Sequence, residues 1–370
     1  MPPSITVPPD VRLPIASQSP AQLRDWLAAR NEPAYRADQI LQWVHQQPNA
    51  GWEGMTNLSA DLRTALADAF KYSTVQLARK QGAADTTQKF LWQLADQQFV
   101  ESVLIPANPA LYGEASDRHT LCVSTQVGCA YGCKFCASGL DGFKRNLEPA
   151  EIVDQVLAVE RTQGRAGQRM VNNLVIMGMG EPLANYDNLL AALEILNAEW
   201  GANIGARKIT ISTSGLVPEI RQLAAQPRQF RLAISLHGAT DSVRERIMPI
   251  NRKYPLADLA AAAEEYQSAK NGMITLEYIL IEGINDAVSE APELARLAER
   301  LRAKVNLIPY NRVEGFDWER PSEPAQDAFL EALLAAGTKA TLRREKGHDI
   351  DAACGQLRLR TEKELAAGTD

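Results

Sequence analysis

The sequence predicts an α/β fold: a partial (β/α)6 barrel preceded by a small N-terminal helical domain and a connecting β-hairpin. Three observations predict it. From Thr120 onward, short apolar strand signals alternate with amphipathic helix signals; before about Phe70 the chain reads as short helices; and between Lys89 and Pro106 two strand-like runs flank a polar turn. A chain of 370 residues with 45% apolar content can bury the core of one large or two unequal domains.

The elements follow in order. Met1 to Asp10 is rich in Pro and lacks the basic, apolar, small-residue layout of a secretion signal. No apolar run reaches membrane-spanning length, so a cytoplasmic protein without membrane contact is expected. Ser19-Pro20-Ala21-Gln22 reads as a capping box with Pro at the first helical position, opening the helical run. Lys89 to Leu94 and Phe99 to Ile105 form the hairpin around Ala95-Asp96-Gln97-Gln98. Strand signals then fall near Leu121, Leu174 to Met177, Ile209 to Ser212, Leu232 to Ser235, Thr275 to Leu280 and Val305 to Ile308. Helices such as Glu151 to Arg161, Tyr186 to Glu199, Leu256 to Lys270 and Pro292 to Arg302 can supply right-handed crossovers, which curl a parallel sheet into a partial barrel. The expected division is residues 1–85 as the helical accessory domain, 86–114 as hairpin and linker, 115–350 as the barrel and 351–370 as a C-terminal segment.

Charge and cysteine content narrow the function. A formal net charge of -6 excludes a general polyanion-binding coat, so nucleic-acid contact has to use local basic patches. Five cysteines are too few and too clustered for a disulfide scaffold, and in a reducing compartment they point to metal binding or redox catalysis.

Three of them stand in Gly128-Cys129-Ala130-Tyr131-Gly132-Cys133-Lys134-Phe135-Cys136, directly after the first barrel strand. Random placement gives such a triple about once in a thousand sequences, so chance explains it poorly. Structural zinc wants four closed ligands, and this loop offers three without a histidine; Cys122 completes a zinc set only by reaching back from its strand. Three thiolates suit a four-iron four-sulfur cluster with one iron left open to the amino and carboxylate groups of S-adenosylmethionine. Gly178-Met179-Gly180-Glu181-Pro182 imitates a dinucleotide fingerprint, but Pro182 and the missing third glycine argue against a Rossmann phosphate turn.

The spacing Cys-x-x-x-Cys-x-aromatic-Cys resembles the signature loop of the radical S-adenosylmethionine superfamily. From Glu101 to Gly355 the chain further resembles the dual-specificity 23S rRNA and tRNA adenine-C2 methyltransferases. The motifs that carry this are Phe99-Val-Glu101-Ser-Val, Gly178-Met-Gly-Glu181-Pro, Ser212-Thr-Ser, Ser235-Leu-His237, Asn306-Leu-Ile-Pro-Tyr-Asn311 and Asp351-Ala-Ala-Cys354-Gly. The resemblance implies a radical-SAM barrel whose Cys129, Cys133 and Cys136 hold the cluster. It also implies that Glu181 meets the amino end of S-adenosylmethionine, with Gly180, Ser212, Ser235, Leu236, His237 and Asn311 around the remainder. Taken alone, a Ser or Asn at a strand end is a cap or turn residue, and His237 a hydrogen-bonded structural histidine.

Cys354 and Cys122, which alone read as small buried residues, are catalytic by the same resemblance. Carbon 2 of adenine is electron-poor and cannot attack a sulfonium methyl as a nucleophile. The implied route first methylates Cys354, then uses a second S-adenosylmethionine to abstract a hydrogen from that thiomethyl, so that the methylene radical adds to the ring. Cys122 releases the product by attacking the Cys354 sulfur, and a thiol reductant resets the transient disulfide. Glu101 shares a strand face with Phe99, Val103 and Ile105, where desolvation raises a carboxyl pKa and suits proton transfer; an edge-strand glutamate reaching water is the plain alternative. The resemblance makes Glu101 the proton acceptor. It also implies a monomer served by a low-potential electron donor such as flavodoxin.

Candidate phosphate contacts are Lys134, Lys144 and Arg145, Arg207 and Lys208, Arg252 and Lys253, and Arg343, Arg344 and Lys346, each of which otherwise reads as a solvated charge run. Reaching a base at the barrel mouth requires it to leave its stack, at a cost of a few kcal/mol, least in single-stranded or bulged RNA. A sister activity at adenine C8 shares all the catalytic motifs. A glycyl-radical activase needs the cluster and Glu181 but neither Cys122 nor Cys354, and a zinc-stabilised RNA-binding module needs no S-adenosylmethionine.

Overall fold

The structure, a computed structural model, describes residues 10–83, 86–107, 118–163, 169–272, 274–313 and 316–343. Helix α1 (Pro20–Ala28) begins at the expected box: the Ser19 hydroxyl accepts from Gln22 N at 3.2 Å, and the Gln22 side chain accepts from Ser19 N at 2.8 Å. Two otherwise orphaned N–H groups are satisfied reciprocally. Helix α2 (Arg36–Gln46) buries Ala37, Ile40, Leu41 and Val44 at helical spacing, and α3 (Ala60–Ala69) buries Leu62 and Leu66 behind a Ser59 cap. These faces share one continuous apolar core with the sheet.

Among the described residues the sheet has ten strands: β1 (Val75–Gly82), β2 (Gln88–Leu94), β3 (Phe99–Pro106), β4 (His119–Cys122), β5 (Asn173–Ile176), β6 (Ile209–Thr213), β7 (Arg231–Ser235), β8 (Thr275–Leu280), β9 (Lys304–Pro309) and β10 (Ala340–Leu342). Each strand lies beside its predecessor in sequence. Strands β1 to β4 pair antiparallel and β4 to β10 pair parallel. The crossovers carry α4 (Pro149–Gln163), α5 (Tyr186–Asn197), α6 (Val217–Ala225), α7 (Asp241–Ile247) with α8 (Leu256–Lys270), α9 (Ala291–Arg300) and α10 (Glu323–Ala335). Six βα units therefore follow one another, as expected of a partial barrel.

Two additions go beyond the sequence reading. Strand β10 is a seventh parallel strand, three residues long and, among the described residues, partnered on one side only, too short for its periodicity to register. Strand β1 turns the hairpin into a three-stranded antiparallel extension; its burial alternates poorly because it is the sheet edge and carries a bulge between Leu77 and Arg79.

The helical module is tied to the barrel at two places. Asp154 of α4, fully buried, accepts from Ser73 Oγ at 2.9 Å, Thr74 Oγ1 at 3.0 Å, the Thr74 N–H and Arg161 at 2.7 Å. Nearby, His45 of α2 packs edge-on to Trp200 at 5.9 Å, and Gln46 donates to Glu199 O at 2.9 Å. Neither ring nitrogen of His45 has a hydrogen-bond partner among the described residues.

Burial, aided by the charge of Arg169, drives the His45 pKa from 6.5 down to about 4. A folded value below the unfolded one means the unfolded chain binds the extra proton. The contribution is therefore whole above pH 6.5 and is lost as pH falls toward 4, by about 3 kcal/mol in all. Urea midpoints measured between pH 8 and pH 4 are expected to fall across this window, and His45→Phe, which keeps the edge contact without the titration, is expected to flatten the curve. An unchanged slope in that variant would assign the acid loss elsewhere.

Candidate active site

The site lies at the C-terminal ends of the parallel strands, where crossover loops gather in such barrels. A cavity of about 140 Å³ is lined by Cys129, Cys133, Cys136, Gly180, Glu181, Ser212, Ser235 and His237, together with Tyr131, Met248, Glu277, Ile279, Ile308 and Arg343. Eight sequence-predicted residues, drawn from four different strand ends, thus border one space.

The cysteine loop is held at both ends by a short antiparallel ladder, Gln126–Val127 against Arg145–Asn146. Within it Cys129 N donates to Gly142 O at 3.3 Å, Cys136 N to Cys133 O at 3.1 Å and Lys134 N to Ile247 O at 3.0 Å. Gly128, at φ +73°, presses against the Gly142 carbonyl where a Cβ has no room. Burial pushes the Cys129 thiol up to about 12 and Cys133 well above its ordinary value, and the neighbouring thiols add to both shifts. Three thiolates charge together only when a cation neutralises them, which makes this a metal-type donor set.

A single tetrahedral zinc would hold its sulfurs about 3.8 Å apart. Among the described residues, no three His, Cys, Asp or Glu side chains close on one ion in that way. All three thiols border one cavity, the donor set that a four-iron four-sulfur cluster with one open iron takes, and the residues present fit that group.

Opposite them, Glu181 has its carboxylate fixed by Ser214 N at 2.7 Å and Leu183 N at 3.1 Å. Burial raises its pKa and these bonds oppose the rise. Gly180, at φ +101°, lets the backbone pass Gln126, whose Cβ would stand 2.5 Å from any side chain there. Gln126 Oε1 in turn accepts Glu181 N at 2.9 Å.

His237 also adopts a left-handed backbone, φ +57°. Its Nδ1 accepts from Ile279 N at 3.0 Å, and burial, then Arg244, lower its pKa to about 3. The ring is therefore neutral with its proton on Nε2, and that atom has no partner among the described residues. Phe135 of the cysteine loop packs edge-on to this ring at 4.4 Å.

Fully buried Arg244 ties the two loops together. It donates to Ser214 O at 2.5 Å, Leu236 O at 3.2 Å, Ser235 O at 3.4 Å and Asn251 Oδ1 at 2.9 Å. Since Ser214 N holds Glu181, one guanidinium orients both the carboxylate and the Ser235 to His237 turn. Sequence reasoning missed it; Arg244 stands four residues after a Thr helix cap in the charged run Arg244-Glu245-Arg246, where nothing local sets it apart.

Leu236 and Asn311 are buried but do not line the cavity: Leu236 borders a separate apolar gap with Leu256, Leu259 and Ala260, and Asn311 Oδ1 has no partner among the described residues. The registry of β3 puts Glu101 and Val103 on the face opposite Ser102, which binds Gln155 of α4, and Val103 pairs with Cys122. Glu101 and Cys122 therefore both face the barrel interior. The expected apolar setting of Glu101 is corrected: Lys89 Nζ lies 3.4 Å from its carboxylate, with both side chains buried. The edge-strand alternative fails too, because β3 is flanked on both sides and Glu101 is fully buried. Arg145 is corrected as well: Asp96 at 2.6 Å and Glu151 at 2.8 Å occupy its guanidinium. Arg252 is bound by Glu245 at 2.6 Å, whereas Lys134, Lys144 and Lys253 stay exposed. Cys354, Arg344 and Lys346 lie outside the described residues. Among the described residues no helix is long and apolar enough to cross a membrane.

Comparison with known proteins agrees with this geometry. Residues 123–298 match the Radical SAM superfamily, and residues 15–71 match the ribosomal RNA large subunit methyltransferase N-terminal domain. The chain is 53% identical over 355 residues to a probable dual-specificity RNA methyltransferase RlmN of Akkermansia muciniphila, covering 96% of this chain and 98% of that protein. It is 46% identical over 343 residues to a Bacillus mycoides protein of the same name, covering 93% and 92%. The crystal structure of a radical SAM methyltransferase from Sphaerobacter thermophilus superposes with a TM-score of 0.86 at 42% identity, covering 94% of this chain and 99% of that one.

Proposed function

This chain belongs to the RlmN family of dual-specificity radical S-adenosylmethionine RNA methyltransferases, and from that premise we propose that it methylates carbon 2 of an adenosine in 23S rRNA and of an adenosine beside the anticodon in tRNAs. The observation that carries the reading is one cavity uniting Cys129, Cys133 and Cys136 with Glu181, Ser212, Ser235 and His237. When bound, the cluster and two molecules of S-adenosylmethionine per turnover supply reductive sulfonium cleavage and the transferred methyl group.

The chain's own residues do the rest. Cys129, Cys133 and Cys136 hold the cluster. Glu181 takes the ammonium end of S-adenosylmethionine, while Gly180, Ser212, Ser235, Leu236, His237 and Asn311 seat the remainder. Cys354 carries the methyl group as a thioether, and Cys122 frees the RNA by forming a disulfide with the Cys354 sulfur. Glu101 accepts the proton lost from carbon 2, and Lys89, 3.4 Å away, balances its charge before transfer. Residues 1–85 position the RNA, with the hairpin region 86–114, barrel 115–350 and segment 351–370 as the remaining units. The chain works as a cytoplasmic monomer, fed by a low-potential donor such as flavodoxin and reset by a thiol reductant.

Nucleoside mass spectrometry of RNA from a reconstituted reaction, run against 2-methyladenosine and 8-methyladenosine standards, tests the regiochemistry. The C2 isomer is expected, and the C8 isomer alone would overturn the assignment. Cys354→Ala is expected to abolish methylation and leave 5'-deoxyadenosine formation, whereas surviving methylation removes Cys354 from the route.

A further inference from the structure

The cavity contains a second carboxylate that no motif accounts for. Glu277 sits mid-strand in β8, in Thr275-Leu-Glu-Tyr-Ile-Leu280, and is only 7% exposed. Strand register places it beside Ser235 of β7 and Asn306 of β9. Asn306 Nδ2 donates to its Oε2 at 2.6 Å and so fixes the carboxyl plane. Its Oε1 has no hydrogen-bond partner among the described residues, although the side chain lines the cavity.

The two carboxylates are separated by the strand order, Glu181 following β5, then Ser212 on β6, Ser235 on β7 and Glu277 on β8. Glu181 acts electrostatically on Cys129, Cys133 and Tyr131, whereas the charged groups acting on Glu277 are Arg343 and Lys304. A ligand with its amino-acid end at Glu181 and the thiol loop must extend its nucleoside half along Ser212 and Ser235 toward Glu277. What it offers there is a pair of ribose hydroxyls. A buried acceptor held by one neighbour and open on its second oxygen is suited to hydroxyl donors.

Resting on the reading of this cavity as the S-adenosylmethionine site, we propose that Glu277 accepts the ribose hydroxyls of S-adenosylmethionine and selects for a ribonucleoside cofactor. Binding is measured anaerobically on the cluster-loaded full chain, for S-adenosylmethionine and its 2'-deoxy and 3'-deoxy analogues, alongside RNA affinity. The wild type is expected to prefer S-adenosylmethionine by about 10- to 100-fold over the analogue lacking the contacted hydroxyl. Glu277→Gln, which keeps the shape of the side chain, is expected to shrink that preference to within about threefold and leave RNA affinity unchanged.

A preference that survives the substitution, or a wild type that never shows one, overturns the proposal. So does an effect confined to RNA affinity, which would set the target adenosine against Glu277. Should Glu277→Gln fold poorly, Asn306→Ala leaves the carboxylate present but unanchored, and it is expected to lose at least about a third of the wild-type discrimination on a logarithmic scale; full retention counts against the assignment. Failure of the parent reading looks different, because then the wild type binds neither S-adenosylmethionine nor its analogues, whatever stands at position 277.

Discussion

Cys133→Ala is expected to abolish cluster assembly and to lower RNA methylation by about 10⁴-fold or more, the scale seen when one member of an interdependent catalytic unit is removed. The change should spare the fold. Cys133 is only partly buried, its neighbours Ile247, Met248 and Phe135 remain, and the loop is held by backbone bonds that do not involve the thiol. Iron and sulfide analysis of anaerobically reconstituted protein, with circular dichroism as the control for folding, gives the answer. Retained iron and sulfide with retained methylation would strike Cys133 from the ligand set, and zinc without sulfide in the wild type would revive the binding-module reading.

Asp154→Ala is expected to cost about 3–5 kcal/mol, enough to detach the helical module or unfold the chain. The carboxylate is fully buried and serves four donors, so its removal strips the Arg161 cation of its carboxylate and the Thr74 N–H of its acceptor, while the Ser73 and Thr74 hydroxyls fall back on the Val75 and Ala150 carbonyls. Removing Glu265 from its solvent-exposed pair with Arg221 is the useful contrast, with an expected loss below about 1 kcal/mol. Urea unfolding of both variants decides it: equal, small shifts of the midpoint would mean that Asp154 is no junction at all.

What was legible in the sequence was local. The Ser19 box forms as read because its donors and acceptors lie within three residues, and the cysteine loop needs only eight consecutive positions to declare itself. The βα alternation was legible for the same reason, since each crossover helix and strand carries its own periodicity. What stayed hidden depends on register or on distant partners. Lys89 meets Glu101 only because β2 and β3 pair as they do, and Glu277 meets Ser235 and Asn306 only through three adjacent strands. Arg244 is anonymous in sequence, yet it closes two loops thirty and eight residues distant from it. A carboxylate inside the apolar run of β8 was the one warning that could have been heeded.

The neighbour-by-neighbour order of the ten strands has a consequence for how the protein is made. Each new strand can dock on the free edge left by the one before it, so contacts within the sheet stay short in sequence and the sheet can grow from its N-terminal edge as the nascent chain emerges. The cluster loop follows β4 early, and the wall that faces it is added strand by strand. Position 354 leaves the ribosome only after β10 has been synthesised, which delays the thiol proposed to carry the methyl group until the vessel meant to receive it has been laid down.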